Sequence, residues 1–469
     1  MMNGWVKIRP WKGSAYSASP GEAVKSPAVM AMPSALRQAF RIPARLARLA
    51  SHWAMNLAFL DQVITSGGNF LCGVLLARTF GTYEFGRFAL AWMLVEFMGS
   101  LQFAAIIQPM LYIGPKQADA DRGGYYHAVI SQQGAACAVL SLLVWAGVTS
   151  AGWLWPDLQL HELAVPLCTA IIAYQLYGFF RRYLFARGHA LAALCSDVLR
   201  FTVQIAATVA LPFAVPGATA AAGIWVVTAA CAIAAALGFG FFGRFAWNGA
   251  TFRQVTARHW TFSKWLLPSA VMYWMTSQAF VLMSGVVLGA ATTGVLKAAI
   301  TITNILNLLL LALDNFAPVQ ASRAFHVGGG TALRRYIMWL ASLTGGLIAA
   351  AVAALNIAPD YVVHVLYGGQ YDDAGHLVRW LCAPLAIYGI GSVLIIWAAA
   401  LERTRTIFLS YAAATAFTVI AAYPLTLYGG LSGVVLGSLL VEVIRVVVLL
   451  VPLIRWSRAT KAHGTDSDV

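Results

Sequence analysis

The chain has 469 residues, of which 60% are hydrophobic and only 10% charged, with a mean hydropathy of +0.74. Soluble domains average roughly 45–50% apolar and about 25% charged residues, so a set of water-exposed globular domains is excluded. The net charge of +14 needs an explanation, and the distribution of the basic residues supplies one without a nucleic-acid partner.

The first 50 residues carry Lys7, Arg9, Lys12, Lys25, Arg37, Arg41, Arg45 and Arg48 against the single acid Glu22. Residues 1–33 are rich in Gly, Pro, Ala and Ser, a composition expected to be disordered. No apolar run with a small-residue cleavage site follows, so a secretory signal is not expected. The stretch 37–53 reads as a basic amphipathic lead-in resting on lipid headgroups.

From there the chain alternates apolar runs with short hydrophilic connectors. A span needs about 20 apolar residues, and about twelve such runs occur. They lie near 54–77, 87–113, 126–149, 163–180, 190–213, 218–242, 265–288, 294–321, 336–358, 377–401, 407–428 and 431–454. With the N-terminus placed in the cytoplasm, all outward connectors together hold only Arg78 and Arg87. Arg200, Lys297, Arg379 and Arg445 lie within spans, and every other Lys and Arg falls inside. That is a strong positive-inside bias. It predicts an all-α polytopic membrane protein with both termini cytoplasmic. The expected organisation is a basic segment at 1–53, a six-helix lobe at 54–243, a linker at 244–264, a second six-helix lobe at 265–455 and a tail at 456–469.

Ionisable groups inside spans are costly and face protein or a wet cavity. Asp61, Thr65 and Asn69 recur at i, i+4 and i+8 on one helical stripe, beside Gly67 and Gly68. Glu96 and Ser100 share a face of the second span. Lys297, Thr301 and Asn304 form a stripe in the eighth, with Asn307 and Asp314 on an adjacent face. Asp61 and Lys297 suit either a cavity wall or an inter-lobe ion pair, and Glu96 suits either the cavity or a hydrogen bond to a neighbouring helix. Asp197 with Arg200, and Glu442 with Arg445, have the i, i+3 spacing of self-neutralised pairs. Arg379 lies near the outer end of its span. The six cysteines show no metal-ligand spacing and read as small hydrophobes. No HExxH, P-loop or other catalytic motif occurs, so neither an enzyme nor a bound cofactor or metal is expected.

Two segment pairs suggest an internal repeat. ITSGGNFLCGVLLARTFGTYEFGRFAL (64–90) aligns with MTSQAFVLMSGVVLGAATTGVLKAAI (275–300), placing Gly86 against Gly294. LFARGHALAALCSDVLRF (184–201) aligns with AALERTRTIFLSYAAATAF (399–417). Both offsets run in one direction, as in parallel repeats.

The turn after the first span carries Leu76, Ala77 and Arg78, then Phe80 and Gly81, then Glu84, Phe85, Gly86, Phe88 and Ala89. With RRYLFARGHA (181–190) and VLYGGQYDDAGHLVRWL (365–381), this pattern resembles bacterial polysaccharide exporters. These are lipid-linked oligosaccharide flippases of the multidrug/oligosaccharidyl-lipid/polysaccharide (MOP) superfamily. The resemblance extends over nearly the whole chain after residue 54; the N-terminal extension and the long linker before span seven depart from it.

The resemblance implies two lobes around a central cavity lined by spans one, two, seven and eight. It implies transport of a polyprenyl-diphosphate-linked oligosaccharide across the inner membrane during cell-surface polysaccharide synthesis. A polysaccharide polymerase and export machinery would be partners beside membrane lipids. Asp61, Thr65, Asn69, Glu96, Lys297, Thr301, Asn304 and Asp314 are then the expected cavity residues. Lys297, Arg200 and Arg379 are candidate diphosphate contacts, and Asp61 or Glu96 a candidate proton carrier. Arg78, Gly81, Glu84, Gly86 and Arg87 are expected at an outer gate, or as interfacial anchors. A drug or cation exporter of the same superfamily is the alternative, and a membrane glycan polymerase or ligase a more distant one.

Overall fold

The computed structural model describes residues 44–154, 160–242, 245–372 and 374–462. From residue 60 onward, side chains are described for 60–118, 121–153, 161–242, 245–304, 317–372 and 374–454. The expectations for residues 1–43, for the tail from 463, and for the side chains of Asn307 and Asp314 lie outside these. Two compact units result, residues 1–59 and 60–469. The described part of the first is helical from Ala44. Everything below concerns the second.

The described elements are helical. α1 spans Ala44–Gln102 and continues through a π-helical turn, Phe103–Ile107, into α2, Gln108–Ile113. There follow α3 (Asp119–Leu154), α4 (Ala164–Ala186), α5 (Ala190–Ala214) and α6 (Ala220–Gly240). A shorter helix, α7 (Gly249–Ser263), leads to α8 (Leu266–Leu288), α9 (Ala290–Thr303) and α10 (Ile305–Ile357). α11 (Pro359–Tyr367), α12 (Ala374–Ala400) and α13 (Thr404–Ala462) complete the chain.

Nine helices among the described residues are long and apolar enough to cross a membrane. Three of the long helices are broken at glycines. Gly81 has φ 68°, Gly329 φ 59° and Gly430 φ 56°. Splitting α1 and α13 at these kinks, and running α9 on into the first part of α10, recovers the expected set of about twelve. The chain is a multi-pass membrane protein. Its helices bond their own backbone groups internally, which hydrocarbon demands.

Helices α3 to α6 pack against one another, as do α8, α10, α12 and α13. The main core joins both groups: Ile171, Phe179 and Ile224 from one and Leu377 from the other lie in one cluster with Met93 of α1 and with Leu296 and Ile302 of α9.

One end of the bundle closes tightly. A Cβ on Gly86 would collide with the Ala290 carbonyl, and one on Gly294 with the Thr82 carbonyl. Only glycine lets the α1 and α9 backbones cross this closely. The two glycines aligned by the internal repeat therefore touch in space. Beside them, the Tyr371 hydroxyl donates to the Ala77 carbonyl at 3.1 Å, and the Tyr367 hydroxyl to the Ala298 carbonyl at 2.9 Å. The two tyrosine rings lie 4.9 Å apart.

Candidate functional site

A cavity of about 350 Å³ lies between α1, α4, α5 and α9. Its polar wall holds Asn69, Glu96, Arg200, Lys297, Thr301 and Asn304, and its apolar wall includes Phe88, Trp92 and Tyr174. Gly73 on α1 faces the Thr301 methyl, so the first span runs close to α9 along the cavity edge. Trp92 stacks on Phe88 and meets Tyr174 edge-on at 5.3 Å, which makes that wall a continuous aromatic face.

Five of the residues expected in the cavity from the sequence thus meet in its wall: Asn69, Glu96, Lys297, Thr301 and Asn304. Arg200 joins them from α5. Asp61 and Thr65 do not line it. They belong to a separate buried cluster, centred on Arg181 of α4. Arg181 pairs with Asp61 through one nitrogen and donates to the Asp197 carboxylate from Nε at 2.6 Å. Thr65 donates to Asp197 Oδ2 at 3.1 Å, and the Tyr177 hydroxyl to Oδ1 at 2.5 Å. Asp61 is therefore not the ion-pair partner of Lys297; that alternative is corrected by the nearer guanidinium of Arg181.

The pairing of Asp197 with Arg200 is corrected as well. Both Asp197 oxygens are already engaged by groups from α1 and α4. Arg200 instead lies over aromatic faces, 4.8 Å from the Tyr177 ring centre, 4.5 Å from Phe201 and 5.8 Å from Tyr174. Cation–π attraction of this kind holds a guanidinium without cancelling its charge. Arg200 is 5% exposed, and its Nε has no hydrogen-bond partner. Among the described residues no carboxylate comes within ion-pair distance of Arg200 or Lys297. In the other half, Arg445 does pair with Glu442 at 2.7 Å, as the spacing predicts. Arg379 lies away from the cavity and binds Asp360 at 3.0 Å on an exposed surface.

The gate candidates form a network around the Gly81 kink. Arg87 bonds Glu84 at 3.0 Å and reaches Glu162 at 3.5 Å. Glu84 accepts from the Ala220 backbone N–H at 2.7 Å, which places a carboxylate on an unsatisfied donor at the start of α6. The Arg78 guanidinium lies by Gly368.

Arg181 and Tyr371 were not singled out by sequence reasoning. In the sequence Arg181 stands out only as an inward-biased charge and as the first residue of RRYLFARGHA, at a span end beside Arg182. Tyr371 lay inside a segment noted only for its resemblance, and nothing in its spacing pointed to the Ala77 carbonyl.

No family model and no curated protein matches the chain. Solved structures do match. An inward-facing multidrug resistance MATE family transporter of the MOP superfamily superposes with a TM-score of 0.67 at 14% identity, covering 86% of this chain and 99% of that one. The eukaryotic MATE transporter AtDTX14 gives 0.60 at 16% identity, covering 86% and 95%. The lipid II flippase MurJ, in an inward closed conformation, gives 0.58 at 13% identity, covering 86% and 87%. At such identities the likeness is one of fold, and the chain has the fold of the MOP-superfamily transporters.

Proposed function

We propose that this protein is a secondary transporter that flips a polyprenyl-diphosphate-linked oligosaccharide from the cytoplasmic to the outer leaflet of the inner membrane. The observation that carries this reading is the charge of the cavity. Two cations without carboxylate partners among the described residues, Arg200 and Lys297, face a space holding one carboxylate, Glu96. A diphosphate is the ligand chemistry that such a wall favours. Arginine offers phosphate oxygens a planar fork of donors, and lysine a mobile point charge. Moving a diphosphate through hydrocarbon is the main barrier, and charge pairing within a hydrated cavity lowers it. The polyprenol tail stays in the bilayer while the headgroup crosses.

The two helix groups would act as lobes, 54–243 and 265–455, rocking about the cavity in alternating access. The positive-inside bias puts the Gly86–Gly294 crossing at the outer end. The arrangement described is then closed outward, the state that loads from the cytoplasm. Partners in this reading are a glycan polymerase and export machinery.

The aromatic wall of Phe88, Trp92 and Tyr174, with Glu96, favours a second reading as a cation or drug exporter. The two readings separate in reconstituted vesicles. Lys297→Ala is expected to cut flipping of a polyprenyl-diphosphate glycan by about ten-fold or more, the scale of a hydrogen bond to a charged group. Lys297→Arg should keep part of it, with both variants abundant in the membrane. No glycan flipping by the unaltered protein, together with efflux of an organic cation, would establish the exporter instead, and unchanged flipping in Lys297→Ala would remove Lys297 from the diphosphate site.

A further inference from the structure

Helix α7 lies between two membrane-crossing helices, α6 ending at Gly240 and α8 beginning at Leu266. One face is docked on the bundle. Val255, His259 and Ser263, spaced i, i+4 and i+8, are buried. His259 Nε2 lies 2.9 Å from the Tyr125 hydroxyl, Gln132 donates to the Thr256 hydroxyl at 2.8 Å, and Ser263 donates to the Ala105 carbonyl at 3.3 Å. The orientation of the helix about its own axis is therefore set.

One flank of the helix, about 120° round from the docked face, carries a stripe of another kind. Arg253, Trp260 and Lys264 recur at i, i+7 and i+11, so they share one exposed line with the tryptophan between the two cations. Trp260 is 62% exposed. Arg258 projects on a different side. Exposed aromatics also mark the helix ends that flank α7: Phe239 and Phe241 at the end of α6, Phe245 and Trp247 in the connector, and Trp265 at the start of α8. Such aromatic belts lie at headgroup depth. α7 is tied to the same level, a few residues from each belt position. The partner available to its exposed stripe is thus the headgroup layer. A tryptophan flanked by cations fits anionic headgroups, with the indole at the acyl boundary and the cations on phosphate oxygens.

We infer that the Arg253–Trp260–Lys264 stripe of α7 is an anionic-lipid binding surface that holds the linker between the two helix groups on the membrane. This does not depend on the identity of the transported molecule. The test uses hydrogen exchange of the full-length protein in nanodiscs of phosphatidylcholine, with and without phosphatidylglycerol. A basic side chain at an anionic surface contributes on the order of a five-fold change in equilibrium. Exchange over residues 249–263 is expected to slow about five-fold or more when phosphatidylglycerol is added. The double variant Arg253→Gln with Lys264→Gln should lose that slowing, whereas Arg258→Gln should keep it. Exchange in α4 and α12 reports whether each variant is folded. Exchange over α7 that ignores phosphatidylglycerol, or slowing that survives the double variant, would overturn the inference.

Discussion

Arg200 and Arg445 are both buried arginines set over tyrosine rings, and they differ in one respect. Arg445 has Glu442 on its own helix, with Tyr411 accepting a further bond at 3.2 Å. Arg200 has the same i, i+3 neighbour in Asp197, but Asp197 is taken by Arg181, Tyr177 and Thr65. Spacing along one helix shows which pairs are within reach; a third helix decides which of them form. This is why one pair was legible in the sequence and the other was not. The difference has measurable consequences. Arg445→Gln leaves the half-buried Glu442 without its partner; breaking a fully buried pair would cost about 3–5 kcal/mol, and a good part of that should appear as a clearly lower melting temperature. Arg200→Gln removes a charge that no carboxylate balances, so the melting temperature should hardly fall while transport is lost. A large thermal loss in Arg200→Gln with transport intact would make Arg200 a structural residue and leave Lys297 as the cation of the cavity.

Among the elements, α7 and the crossing of α1 with α9 show how much a helix depends on one contact. His259 holds α7 against α3 from a buried site. Burial first, and then the neighbouring Arg258, push its pKa down from 6.5 to about 4. Released from the bundle, it would titrate near 6.5. Between these values the undocked helix gains a proton that the docked one does not. Docking is then strongest above about pH 6.5 and weakens as pH falls toward 4, by about 1.4 kcal/mol per pH unit. Exchange over 249–263, corrected for its intrinsic pH dependence, should speed up through this window, and His259→Gln should flatten the response. A wild-type response already flat would show that His259 does not control docking.

The glycine crossing tests a different kind of contact. Gly86→Leu puts a side chain where the Ala290 carbonyl lies, and Gly294→Val does the same at the Thr82 carbonyl. Either change should force the end of the bundle apart and make a cysteine at Thr82 react faster with an impermeant maleimide. The contact itself was partly legible, since the repeat had aligned Gly86 with Gly294. The span count was legible too, because bilayer length fixes it. The breaks at Gly329 and Gly430 were legible as well, since both fall in glycine runs in the connectors expected at 322–335 and 429–430; that the chain would stay helical up to a single kink there was not.

For the whole molecule the question is whether closure at the glycine end alternates with opening. The contacts that seal it come from distant parts of the chain. α1 meets α9 at Gly86 and Gly294, and the segment after α11 reaches back to Ala77 through Tyr371. In a rigid bundle these contacts would serve stability alone, and fixing them would leave transport unchanged. In alternating access they must break in every cycle. Cysteines at Thr82 and Ala291, on the two crossing helices, can be bridged by a short, cleavable methanethiosulfonate crosslinker. Exposed Cys195 is replaced by serine to remove a competing thiol. Crosslinking is expected to stop transport of the glycan in vesicles, and reduction to restore it. The same bridge in a Lys297→Ala background should add little to the loss already present. Transport that continues across the bridged mouth would mean that the Gly86–Gly294 crossing stays closed throughout, leaving Arg78, Glu84 and Arg87 as anchors of a fixed end, and the pathway would have to leave the cavity elsewhere.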